Sequence, residues 1–222
     1  MMELSQDGVV MDAAASPRRY VFRDGVSCLG KTSSCDVTCD LIALSKNSPL
    51  ITRPNDSALS QCVFMWKILD AIRSPRHMTG ELVRMDRHPL CTLAYAALER
   101  CDGFKAKHAD FLPRWTKFVE EHWHEFGMAF ATCFRTVAEL MCFDGAEIDV
   151  FLYAPADDFL TTVAAAMKRR GYFDRDWGVE YLLNQRAVFR AIPGLVEKVG
   201  LEKRLHPRYV EVSTWVSLCK DE

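Results

Sequence analysis

The chain has 222 residues, 49% of them apolar and 26% charged, the make-up of one ordinary globular domain with a substantial core. Its net charge of -2 excludes a global basic field for capturing nucleic acid, and no apolar run reaches the length of a membrane span. Nine cysteines, an odd number scattered through apparent helices and loops, exclude a disulfide framework and point to a reducing, intracellular compartment.

Residues 1–18 lack a basic start followed by a long apolar stretch, so they read as a disordered lead rather than a secretory signal. A single domain is expected over 19–222. Arg18 to Asp24 carries a short apolar run that reads as a strand and stops at Asp24-Gly25. From Lys31 to about Lys46 the pattern is helical, with Val37, Leu41 and Leu44 at helical spacing. Within this region Cys28, Cys35 and Cys39 lie close together without a CxxC or Cys-His pairing, so buried thiols are expected rather than a zinc site. "PLITRP" reads as a short strand bounded by prolines. A helix through "ALSQCVFMWKILDAI" follows, capped by Asn55 or Asp56.

"ELVRMDR" is the next predicted strand, and a helix begins near Pro89, a residue tolerated at a first helical position. Two helical stretches are expected over residues 110–142, separated near Gly127. "IDVFLYAP" is the strongest strand signal, and a long helix follows Asp157 or Asp158 as far as Arg170. "GYFDRD" interrupts before a further helix through "WGVEYLLNQRAVFRA". "RYVEVSTWVS" reads as the closing strand. Strands alternating with helices predict an α/β fold with a mostly parallel sheet.

The stretch "VFRDGVSCLGKT" at residues 21–32 fits G-x-x-x-x-G-K-[ST] from Gly25 to Thr32. Such a Walker A loop, here Gly25, Val26, Ser27, Cys28, Leu29, Gly30, Lys31, Thr32 and Ser33, binds ATP by wrapping so that several of its backbone N–H groups face phosphate oxygens. The following helix aims its positive dipole end at the same place. Lys31 supplies a mobile charge for the β- and γ-phosphates, and the Thr32 hydroxyl is suited to Mg²⁺. The pattern lies between a predicted strand and a predicted helix, the context that makes it specific. ATP and Mg²⁺ are therefore the expected cofactors. In a parallel sheet the ligand crevice lies at the carboxyl ends of the strands. That rule puts Asp86, which ends "ELVRMD", beside the loop as a second metal-holding group. Arg87 would then reach a substrate phosphate or the oxygen receiving one.

"DGVSCLGKTS" together with "MDRHPLCTLAYA" resembles the deoxynucleoside kinase superfamily. Herpesvirus-type thymidine kinases look most similar, and thymidylate kinases are relatives with a comparable Asp-Arg motif. The resemblance runs from about residue 19 to 217. It implies a P-loop nucleoside/nucleotide kinase fold, a mostly parallel five-stranded sheet flanked by helices, and viral DNA synthesis in the cytoplasm or nucleus of a host cell. It also implies Gln61 as reader of the base edge, since a carboxamide donates and accepts side by side. Lys168, Arg169, Arg170 and Arg175 match an arginine-rich lid near 168–176 that steadies transferred charge. Tyr95, with Phe64, Trp66, Trp115 and Phe134, is an aromatic suited to stacking on a base, although most of these are expected in the core.

The chain departs from the family pattern at one functional position. Where a nucleoside kinase carries the glutamate that accepts the sugar-hydroxyl proton, "PLITRPNDSALSQ" has Arg53 before Pro54. Asp56 is then the nearest candidate base, or Asp86 shares that work. Alternatively Arg53 anchors the monophosphate of a thymidylate-type acceptor, or the protein binds nucleotide without transferring phosphate. The leading expectation is ATP-dependent phosphorylation of a pyrimidine deoxynucleoside at its 5′-hydroxyl. The expected partner is a small nucleoside or nucleotide, with no nucleic acid and no membrane; homodimerisation is left open.

Overall fold

A computed structural model describes residues 19–26, 29, 82–86, 88–140, 147–169 and 178–216. Strand β1, Arg19–Gly25, is buried on both faces from Phe22 onward, as a central strand covered on two sides must be. It pairs in parallel with β2, Leu82–Asp86, on one side and with β3, Glu147–Pro155, on the other. Strand β4, Leu205–Val212, runs parallel along the far side of β3. The described sheet therefore has four strands in the order β2-β1-β3-β4. Pro207 lies inside β4, paired opposite Val150. Proline is confined to edge strands, and β4 is the outermost described strand on its side.

Helix α1, Leu90–Arg100, follows β2 with Pro89 directly before it. Helix α2, His108–Phe118, continues through a π-helical turn, Val119–Trp123, into α3, His124–Leu140. The expected break near Gly127 is therefore corrected: Gly127 lies inside α3. A Cβ there would stand 2.5 Å from the Leu195 Cδ1 and 3.0 Å from the Val199 Cγ1. This glycine serves close approach of two helices rather than chain reversal. After β3 a 3₁₀ turn, Asp157–Phe159, leads into α4, Leu160–Arg169.

The last helix, α5, spans Gly178–Lys198 and passes through Pro193, well beyond the expected end at Ala191. Its buried residues recur at helical spacing, including Tyr181, Gln185, Val188, Ile192 and Leu195. It packs against α1, α2, α3 and α4 and against strands β3 and β4, so one helix joins the helical layer to the sheet. The core is a single cluster running from Tyr20 and Phe22 through Phe111, Phe130 and Leu152 to Phe189. β4 also starts before the expected Arg208 and stops at Val212, short of the expected Ser217. No described helix is long and apolar enough to cross a membrane.

Several expected elements lie outside the described residues: the N-terminal lead, the helix from Lys31, the strand "PLITRP", the helix carrying Gln61, and the "GYFDRD" segment.

Candidate functional site at the carboxyl edge of the sheet

All four strands end on one edge, at Gly25, Asp86, Pro155 and Val212. From β1 the chain goes to β2 on one side, then returns past β1 to β3 on the other. The gap between β1 and β3 is thus the switch point of the sheet, where ligands of open parallel sheets bind. The Walker-pattern loop starts in that gap. Gly25 is the last residue of β1 and lies opposite Tyr153 of β3.

The local geometry accounts for glycine at position 25. Its φ is 114°, and a Cβ would lie 2.1 Å from the Tyr153 carbonyl oxygen. No side chain fits there, and the left-handed backbone is one that glycine alone adopts at little cost. The next residue fixes the exit direction: the Val26 N–H donates to the Tyr153 carbonyl at 2.8 Å. Further on, the Leu29 carbonyl accepts the Val216 N–H at 3.0 Å. Val26 and Leu29 are both fully buried and anchor the described part of the loop in the core.

Asp24 sits beneath the loop with only 2% of its surface exposed. Its Oδ1 accepts the Gly25 N–H and its Oδ2 accepts the His88 N–H, both at 2.8 Å. His88 follows directly on the end of β2, in the Asp86-Arg87-His88 motif. It is wholly buried, and that burial pushes its imidazole pKa down to about 3. The ring is therefore neutral. Its Nδ1 accepts the Leu90 N–H at 3.2 Å, which leaves the proton on Nε2. The Nε2 position has no hydrogen-bond partner among the described residues, and the Phe22 ring stands edge-on to the imidazole at 4.8 Å between centroids. The His88 and Pro89 carbonyls accept the Cys91 and Thr92 N–H groups, so the start of α1 is fixed to this turn.

Of the residues singled out in the sequence, Gly25 and Val26 lie at the switch point, but the expectation that their N–H groups face phosphate is corrected: Gly25 donates to the Asp24 Oδ1 and Val26 to the Tyr153 carbonyl. Asp86 ends the neighbouring strand, level with Arg23 of β1. Tyr95 lies on α1, stacked on Phe104 and edge-on to Phe189. Trp115 is buried among Phe111, Phe118 and Trp123, and Phe134 lies beside Phe130 and His88. Lys168 and Arg169 are exposed in the last turn of α4. Ser27, Cys28, Gly30, Lys31, Thr32, Ser33, Arg53, Asp56, Gln61, Arg87, Arg170 and Arg175 lie outside the described residues, as do Phe64 and Trp66.

Sequence reasoning passed over Asp24, taking it only as the residue that stops a strand. The available signal was its place: a carboxylate directly before the first glycine of a phosphate-type loop. A search against known proteins finds no family model, curated protein or solved structure that matches the chain significantly.

Proposed function

We propose that the chain is an ATP- and Mg²⁺-dependent deoxynucleoside kinase with a P-loop kinase fold, acting on a pyrimidine deoxynucleoside. One observation carries the reading: the G-x-x-x-x-G-K-T sequence begins at the switch point of a parallel sheet, on a glycine pressed against the Tyr153 backbone. A turn without a ligand role needs neither the Lys-Thr ending nor that location. The fold reading adds a fifth strand from "PLITRP". β2 is the outermost described strand on its side, so an edge is there for it to join.

In this reading the N–H groups of the loop beyond Val26, together with Lys31, bind the donor phosphates, a role that asks for donors already oriented before the reaction. Thr32 and Asp86 would hold Mg²⁺, which when bound neutralises charge on the β- and γ-phosphate oxygens. Gln61 holds the base edge. Arg87 with Lys168, Arg169, Arg170 and Arg175 gathers positive charge over the transferring phosphoryl group. The 5′-hydroxyl oxygen forms the new P–O bond as the bond to the ADP leaving group breaks, and Asp56 takes the hydroxyl proton. Because the transition state is loose and metaphosphate-like, little base strength is required. That accommodates Arg53 where a glutamate stands in nucleoside kinases.

The test is transfer from radiolabelled ATP to thymidine and to thymidylate, by wild type and by Lys31→Ala. Transfer to thymidine that falls about 10³-fold in the variant, with its melting temperature kept, supports the reading. Transfer to thymidylate alone, lost in Arg53→Ala, moves the assignment to a monophosphate kinase, since a guanidinium grips phosphate in bidentate fashion. ATP binding without transfer to either acceptor leaves a nucleotide-binding protein that acts by interaction. Unchanged turnover in Lys31→Ala rejects the phosphate-loop assignment.

A further inference from the structure

We propose that Asp24 is a positioning residue whose buried carboxylate sets the phosphate loop and the turn after β2 in fixed relation to each other. What that relation serves rests on the kinase reading above; the bridge itself rests on the coordinates alone. Each carboxylate oxygen holds one backbone N–H, and the two donors, Gly25 and His88, belong to different segments. The first opens the Walker-pattern loop. The second follows immediately on Asp86 and Arg87, and it lies 64 residues from Asp24 in sequence.

The chemistry explains why this residue is an acid. A carboxylate that is 2% exposed is costly to bury unless hydrogen bonds to the charged form offset the loss of water. Here two charge-assisted bonds of 2.8 Å do so. Asparagine has the same shape but only one acceptor oxygen. It would satisfy one donor and turn an N–H toward the other, so two N–H groups converging on one side chain select a carboxylate.

Other hydrogen bonds act within one segment or the other. The Val26 N–H to Tyr153 and Val216 N–H to Leu29 bonds fix the loop. The Leu90 N–H to His88 Nδ1 and Cys91 N–H to His88 carbonyl bonds fix the turn. Asp24 is the side chain that the hydrogen bonds show joining the two. Phosphoryl transfer is sensitive to that relation, because misplacing reacting groups by about 1 Å can cost about 10²-fold in rate.

The experiment compares wild type, Asp24→Asn and Asp24→Glu by amide hydrogen exchange, ATP titration and turnover with thymidine. In Asp24→Asn the Gly25 or the His88 N–H should exchange at least about tenfold faster, while the Val26 N–H keeps its protection. The dissociation constant for ATP should stay within about threefold, because the loop keeps its own anchors, and kcat should fall about 10²-fold. Asp24→Glu, which keeps both acceptor oxygens, should recover part of that loss. It also provides the reading if the asparagine variant does not fold. Uniform loss of protection with ATP affinity and kcat falling together would overturn the proposal in favour of a general packing role. Unchanged exchange at both Gly25 and His88 would overturn it as well. If wild type neither binds ATP nor transfers phosphate, the kinase reading fails, and the exchange measurement still decides whether Asp24 bridges the two segments.

Discussion

Asn184 and Asp24 are both almost fully buried, and each holds backbone that lies far from it in sequence. Asn184 works in the helical layer. From α5 its Nδ2 donates to the Gly103 and Ala106 carbonyls at 2.9 and 3.0 Å, and its Oδ1 lies 2.8 Å from the His108 Nδ1. Nearby, Glu180 accepts the His108 N–H at the start of α2. Asp24 works at the carboxyl edge of the sheet, where its two carboxylate oxygens accept the Gly25 and His88 N–H groups. The difference lies in what the backbone presents. The turn after α1 offers carbonyls beside a ring nitrogen, which a neutral amide matches without burying charge. The strand ends and the start of α1 offer N–H groups, which call for an anion.

The largest expected effect tests the helical side of this contrast. Asn184→Asp sets a carboxylate against two carbonyl oxygens and removes both donors. Stability in urea should fall by about 3–5 kcal/mol, while ATP affinity measured on the folded fraction stays near wild type. Loss of ATP binding ahead of unfolding would mean that the two brackets are not independent.

The second effect concerns His88 beside Asp24. Its folded pKa of about 3 lies below the ordinary 6.5, so between those values the unfolded chain binds the extra proton. Stability from keeping the ring neutral is complete above pH 6.5 and is lost as pH falls toward 3, on the order of 5 kcal/mol in all. His88→Gln removes this titration. Its stability difference from wild type, measured by urea unfolding, should therefore shrink steadily between pH 7 and pH 4. A constant difference would show that His88 does not titrate there.

Gly127→Ala is a smaller test, and it belongs to the helical layer. The added methyl meets the Leu195 and Val199 side chains, an overpacking cost of about 1–3 kcal/mol. The gain in helix propensity offsets about 1 kcal/mol of it. A net loss of about 1 kcal/mol by thermal unfolding is expected. Smallest is Arg114→Ala, which breaks an ion pair with Asp102 in which both side chains are more than half exposed. It should change stability by at most about 0.5 kcal/mol. A larger loss would place part of the loop's anchoring on charge rather than on Asn184.

Much of the sheet was legible in the sequence because strands announce themselves locally. "IDVFLYAP" is apolar apart from Asp149 and stops at proline, and "ELVRMD" ends at its motif. Element type was also legible for α1, α4 and α5. Gly127 was misread because a helix-breaking glycine and a close-approach glycine are identical in sequence; only Leu195 on another helix distinguishes them. α5 outran its expected end because packing outweighs the local penalty of Pro193. At the site, the loop's opening was legible through its glycine spacing. The roles of Asp24 and Asn184 were not, because a buried polar side chain is defined by partners that converge from remote segments, and no periodicity records them.

β1 also constrains the order in which the protein can assemble. It is the first described strand in the chain, yet it lies inside the described sheet, and β2 and β3 come from much later in the chain. Pairings of such long sequence separation are slow to form, because closing the intervening chain loses entropy before any contact rewards it. The opening of the phosphate-type loop depends on the last of these partners, since Gly25 and Val26 take their geometry from Tyr153. A nascent chain shorter than about Pro155 therefore carries the Walker sequence without its folded start. Ribosome-bound chains stalled before and after β3 has emerged should differ sharply in protease resistance at Gly25, and the transition should coincide with the emergence of β3 rather than of the loop itself.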